Sequence, residues 1–141
     1  MGNNLQFIIG ELNLDEENIG RYDVSPEHKF IIINKNPELV FHSGFVNRHE
    51  EIVSTIKGID PSDRRIIIGG GRLYVSNDGI LTLDSKSYKY GGVPIFVGEK
   101  YAKLLIPKLQ EIGIPVSNVS IDLHQNILNP IWEELEFINL K

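Results

Sequence analysis

The sequence predicts an α+β domain, and three observations predict it. The runs KFIIIN at 29–34 and RIII at 65–68 are compact, rich in β-branched residues and too short for helices, so they suit buried strands. Two other segments, near 48–57 and 99–112, carry apolar residues at helical spacing between start and stop signals. At 141 residues, 41% hydrophobic and 23% charged, the chain has the size and mixture of one globular domain with one core.

Taken in order, Leu5, Phe7 and Ile9 alternate at period two, then Leu12 and Leu14 continue in the opposite phase with Gly10 at the switch, which predicts a bulged strand. The polar stretch DEENIGRYDVSP predicts turns before the strand Lys29 to Asn34. Pro37 cannot donate to a ladder, so NKNP ends that strand, and Glu38 to Phe41 forms a short one after the break. Asn47 with Glu50 three residues on resembles a capping box, and Lys57-Gly58 supplies a basic close. Together they predict a helix from about Arg48 to Lys57. Ile52, Val53 and Ile56 follow His49 by three, four and seven residues, which puts the imidazole on the core-facing side.

IDPSD is a turn, after which Arg65 to Ile68 starts a strand that runs through Gly69, Gly70 and Gly71 into Arg72 and LYV. Asn77-Asp78-Gly79 signals a hairpin to the returning strand ILTL. A second helix is predicted from about Glu99 to Ile112, with Ala102, Leu105, Leu109 and Ile112 on one side, Pro107 bending it and Gly113 ending it. Val119, Ile121 and Leu123 alternate with Ser120 and Asp122 as a last strand. Asn129-Pro130 then opens a terminal helix that docks Trp132, Leu135 and Ile138.

Composition excludes several mechanisms. Zero cysteines remove disulfides, thiolate metal sites and a cysteine nucleophile. The net charge of −5 opposes generic attraction to nucleic acid or an anionic membrane, while leaving room for a local basic pocket. His28, His42, His49 and His124 show none of the short pairings of metal sites, so neither metal nor cofactor is expected. No stretch approaches the roughly 18 apolar residues of a bilayer span, and the first residues lack a basic leader, so the expected location is the cytoplasm.

His49 is the leading candidate for chemistry. A helix start disfavours an imidazolium, so its pKa should be lowered, and a neutral imidazole can accept a proton or attack phosphorus. The alternative is a packed, hydrogen-bonded structural histidine. The glycine run matches no nucleotide-binding signature and implies a bulge or the close approach of a backbone, side chain or ligand. The loop SKSYKYGG offers two lysines, two tyrosines and backbone amides. It can wrap an oxyanion or simply face water.

In order and spacing, HEEI, then GGGRL beginning 20 residues after His49, then SYKYG beginning 15 residues after Arg72, resembles the Janus (ocnus) family that includes phosphohistidine phosphatase. KFIIIN is similar to that family's lysine-bearing strand, and ELVFHSGFVNRH to the segment leading to its histidine. The likeness spans 66 of the 141 residues, Lys29 to about Pro94. It implies a mixed β-sheet flanked by helices, with an N-terminal strand and a C-terminal helix added to a core of about 29–123.

The resemblance also implies roles. His49 is then the catalytic residue, as general base or transient phosphoryl acceptor. Lys29 holds phosphate, and the amides of Glu50, Ser87 and Lys89 complete an oxyanion cradle. Three departures stand out: Phe41 takes the place of a strand arginine, Arg48 that of an aromatic residue, and Lys89 that of a small one. Positive charge from Arg48 or Lys89 could thus replace the missing arginine. The implied activity is that of a metal-independent phosphatase acting on a phosphorylated protein or small molecule. The alternatives are a non-catalytic module that binds phosphate or protein at the same pocket, and a purely structural domain.

Overall fold

The computed structural model describes residues 5–22, 24–87, 89–122 and 128–135; Leu123, His124 and Ile138 lie outside them. The chain forms β1 (Gln6–Leu12), a 3-10 turn at Glu16–Asn18, β2 (Glu27–Lys35), β3 (Glu38–Val46), α1 (His49–Val53), β4 (Ile67–Val75), β5 (Ile80–Asp84), α2 (Ile95–Glu111), β6 (Asn118–Asp122) and α3 (Ile131–Glu134). The strands make one six-stranded sheet in the order β1-β3-β2-β4-β5-β6. The β1–β3 and β5–β6 pairs are parallel and the central pairs antiparallel, so the α+β class with a mixed sheet holds.

Strand alternation divides β2 between two cores. Phe30 and Ile32 face a large cluster with Val97, Tyr101, Leu105 and Leu109 of α2 and with Trp132. Ile31 and Ile33 face a smaller cluster with Ile52 and Val53 of α1 and with Tyr90. Full burial of such side chains contributes roughly 1.5–3 kcal/mol each, so the α2 side carries most of the apolar stabilisation. Trp132 adds a bond from its indole N–H to the Ile68 carbonyl at 3.0 Å, which ties the terminal helix to β4.

Several boundaries differ from those predicted. The bulge in β1 falls where expected, between Ile9 and Leu12. NKNP is a tight turn with a cis Asn36–Pro37 peptide, and β3 runs on to Val46 because it pairs with β2 along its whole length. The helix predicted over 48–57 ends at Val53. There the Ser54 and Thr55 hydroxyls donate to the Glu51 and Ile52 carbonyls at 2.8 and 2.7 Å, competing with the helical ladder. Its cap is also displaced by one residue: Arg48 is the N-cap, and the Glu51 carboxylate, not that of Glu50, accepts the Arg48 N–H at 2.7 Å. β4 begins at Ile67, two residues later than predicted, after a run of turns.

α2 starts at Ile95, four residues before the predicted start, with the Val97 and Gly98 N–H groups both donating to the Pro94 carbonyl. The helix continues through Pro107. No helix among the described residues is long and apolar enough to cross a membrane.

Candidate functional site

The sheet brings His49, Lys29 and Arg72 together. Lys29 lies opposite Arg72 across the β2–β4 ladder, and two residues along the same face Ile31 lies opposite Gly70. His49, the first residue of α1, lies across that glycine. A Cβ on Gly70 would sit 3.3 Å from the imidazole Cδ2 and 3.1 Å from the Ser87 Oγ, so the glycine lets both side chains approach the strand. Gly71 is tighter still, since a Cβ there would overlap the Asp84 carbonyl oxygen. The glycine run therefore serves close approach, one of the two meanings open to it.

His49 Nε2 lies 2.8 Å from the Gly71 carbonyl oxygen. A carbonyl can only accept, so Nε2 carries the proton and the lone pair belongs to Nδ1. The residue is 8% exposed. The enclosed, unpartnered side-chain atoms among the described residues are His28 Nδ1, Ser43 Oγ, Tyr90 Oη and Tyr101 Oη, and His49 Nδ1 is not one of them.

The His49 pKa is lowered to about 4, chiefly by burial; the Gly71 bond opposes this, Lys29 lowers it further, Glu27 raises it and Arg72 lowers it. The expected direction holds while its cause changes. A helix of five residues offers little dipole, and desolvation dominates. At neutral pH the ring is uncharged.

The cations around it are paired. Lys29 Nζ is 2.9 Å from Glu27 Oε1 and Arg72 Nη1 is 3.3 Å from Glu27 Oε2. Asp84 Oδ2 accepts from Arg72 Nε at 2.8 Å and Nη2 at 2.7 Å, and its Oδ1 accepts the Arg72 and Lys86 backbone N–H groups at 2.9 and 3.0 Å. All four side chains are buried. Among the described residues, two cations and two carboxylates leave this cluster formally neutral.

The loop after β5 lies beside the same site. Ser87 is buried against Gly70, and its Oγ accepts the Tyr90 N–H at 3.2 Å. The Tyr90 ring meets the imidazole edge-on, with centroids 6.4 Å apart. Lys89 pairs with Glu50 of α1 at 3.2 Å, so its charge is spent on a half-exposed surface bridge that ties loop to helix. Arg48 is exposed and forms no ion pair with the described residues. The fold thus gathers His49 and Ser87 over Gly70 with Lys29 nearby and joins Lys89 to Glu50 at the surface, while the Arg48 charge does not join the cluster.

Phe41 needs a correction of another kind. It lies on the opposite face of the sheet, stacked on Tyr101 of α2 with centroids 4.3 Å apart. A side chain at that position faces the large apolar core, so no cation is missing from the pocket on its account. The added cation is Arg72, read from sequence only as part of the glycine strand, and the unforeseen acids are Glu27 and Asp84. A signal for Glu27 was present: Glu27 and Lys29 stand two apart at a strand start and share a face.

Comparison with protein-family models, with curated proteins and with solved structures gives no match for this chain.

Proposed function

We propose that this chain is a metal-independent phosphatase of the phosphohistidine phosphatase type, with His49 as general base or transient phosphoryl acceptor. The observation that carries the reading is the His49 imidazole itself, fixed through Nε2 by the Gly71 carbonyl, neutral, and set beside Lys29, Arg72 and the Ser87 loop. As a base, Nδ1 takes a proton from the water that attacks phosphorus and passes it to the leaving imidazole as the substrate's P–N bond breaks. As a nucleophile, Nδ1 bonds to phosphorus while the substrate's P–N bond breaks and the leaving imidazole gains a proton; water then releases phosphate.

A pKa near 4 keeps the ring unprotonated but makes it a weak base. An arriving phosphoryl group brings negative charge against the ring and raises that pKa, so basicity grows when substrate is bound. Lys29 and Arg72 stabilise the equatorial oxygens. Substrates are phosphorylated proteins or small phosphorylated molecules, and the soluble setting expected is the cytoplasm.

A second reading is a phosphate-recognition module without turnover. It is favoured by the neutrality of the cluster, since Glu27 and Asp84 match the two cations. The separating experiment is phosphate release from a phosphohistidine peptide in the presence of chelator. Turnover by the wild type is expected, with Lys29→Ala lowering kcat/KM while retaining chemistry. Binding of the peptide without release would favour the recognition module.

A further inference from the structure

The Lys29 ammonium and the Nη1 edge of the Arg72 guanidinium converge on the two oxygens of one carboxylate, that of Glu27, at 2.9 and 3.3 Å. A carboxylate held through both oxygens by two cations is an oxyanion in an oxyanion cradle, and a phosphoryl group presents a similar oxygen edge. The two acids of the cluster are held differently. Asp84 accepts four hydrogen bonds, including two from backbone amides, and grips the Nε–Nη2 edge of Arg72. Glu27 is the first residue of β2, opposite Val46 at the end of β3. Asp84 thus fixes the Nε–Nη2 edge of Arg72, while the Glu27 carboxylate occupies the point shared by both cations, at the end of β2 that pairs with Val46.

We infer that Glu27 is the specificity-determining residue of this site, an internal carboxylate that occupies the Lys29–Arg72 cradle and is displaced by the phosphoryl group of the substrate. This rests on the phosphoryl reading of the pocket and deepens it. A ligand must exceed the attraction of a tethered carboxylate, which is present at high effective concentration. Free inorganic phosphate brings only its oxygens. A phosphoryl group attached to a larger molecule adds contacts beyond the cradle, so the substrate class is an attached phosphoryl group and free phosphate, the product, is readily released. The buried carboxylate also keeps the Lys29 ammonium paired when the site is empty, while Arg72 keeps Asp84 throughout.

The test is titration of wild type and Glu27→Gln with inorganic phosphate, followed by NMR at the backbone amides of Glu50, Ser87 and Lys89. The substitution keeps the shape, retains one acceptor oxygen, turns the other into an N–H donor and removes the competing charge, so phosphate should bind about tenfold more tightly or better. In wild type, the Glu27 side-chain carboxyl carbon should shift along the same isotherm as the amides, a readout that needs no variant to fold. Equal or weaker binding by Glu27→Gln, or a Glu27 carboxyl signal that stays fixed while the wild-type amides move, overturns the inference and leaves the phosphoryl reading standing. If neither protein binds phosphate, the inference and that reading fall together.

Discussion

His28 and His49 are both buried, and burial lowers the pKa of each to about 4. They nevertheless sit in unlike places. His28 Nε2 accepts the Asp15 N–H at 2.8 Å, so its proton is on Nδ1, which is enclosed and without a partner. Its ring lies against Phe45, with centroids 4.9 Å apart, and braces the segment after β1 onto β2. His49 holds the opposite tautomer: Nε2 donates to Gly71, and the lone pair is on Nδ1. Its neighbours are the charged groups of Lys29, Arg72 and Glu27 as well as the edge-on Tyr90 ring. A depressed pKa is therefore common to a brace and to a candidate reactive group. What separates them is the nitrogen that keeps its lone pair and the charges around it.

Deleting a charge tests that difference with the largest effect. Removing one partner of a buried ion pair costs about 3–5 kcal/mol. Asp84→Ala, which removes the carboxylate gripping the Arg72 Nε–Nη2 edge and leaves that cation sharing Glu27 with Lys29, is expected to lose that much stability by denaturant unfolding. A cost below about 1 kcal/mol, the level of a solvated pair, would mean that the surroundings of His49 are not the enclosed charge cluster described.

Acid should weaken both histidine regions together. Both pKa values are lowered from 6.5 to about 4, so stability is complete above pH 6.5. As pH falls below 6.5 the unfolded chain takes up protons first. The loss grows down to about pH 4, below which these two groups add nothing more. Each contributes on the order of 3 kcal/mol over that window. Unfolding measured against pH should show a shallower decline for His28→Asn and for His49→Asn than for wild type. An unchanged slope in either variant would remove that histidine from the account.

The fold was largely legible because its signals are local. Alternation marked β1 and its bulge, β-branched runs marked β2 and β4, and Asn77-Asp78-Gly79 marked the turn between Val75 and Ile80. The true start of α2 was hidden because Gly98 lies in its first turn and lowers helix propensity. α1 was overextended because the polarity of Ser54 and Thr55 does not show their hydroxyls bonding back to carbonyls.

The candidate site was half legible. His49 stood out through its spacing with Ile52, Val53 and Ile56, and Lys29 and the Ser87 loop through the ordered likeness. Arg72, Glu27 and Asp84 meet only through the registers Lys29↔Arg72 and Arg72↔Asp84, which no one-dimensional pattern states. The same registers and alternation set Phe41 on the far face.

The central claim is that His49, and not His28, performs chemistry. Its most direct test is turnover of a phosphohistidine peptide, with chelator present, by wild type, His49→Ala and His28→Ala side by side. General base catalysis contributes about 100- to 10,000-fold, so His49→Ala should lose at least that range of turnover while staying folded. His28→Ala should remain within a few-fold of wild type once allowance is made for any unfolded fraction. A His49→Ala protein as active as wild type would contradict the account and leave His49, like His28, a packed histidine.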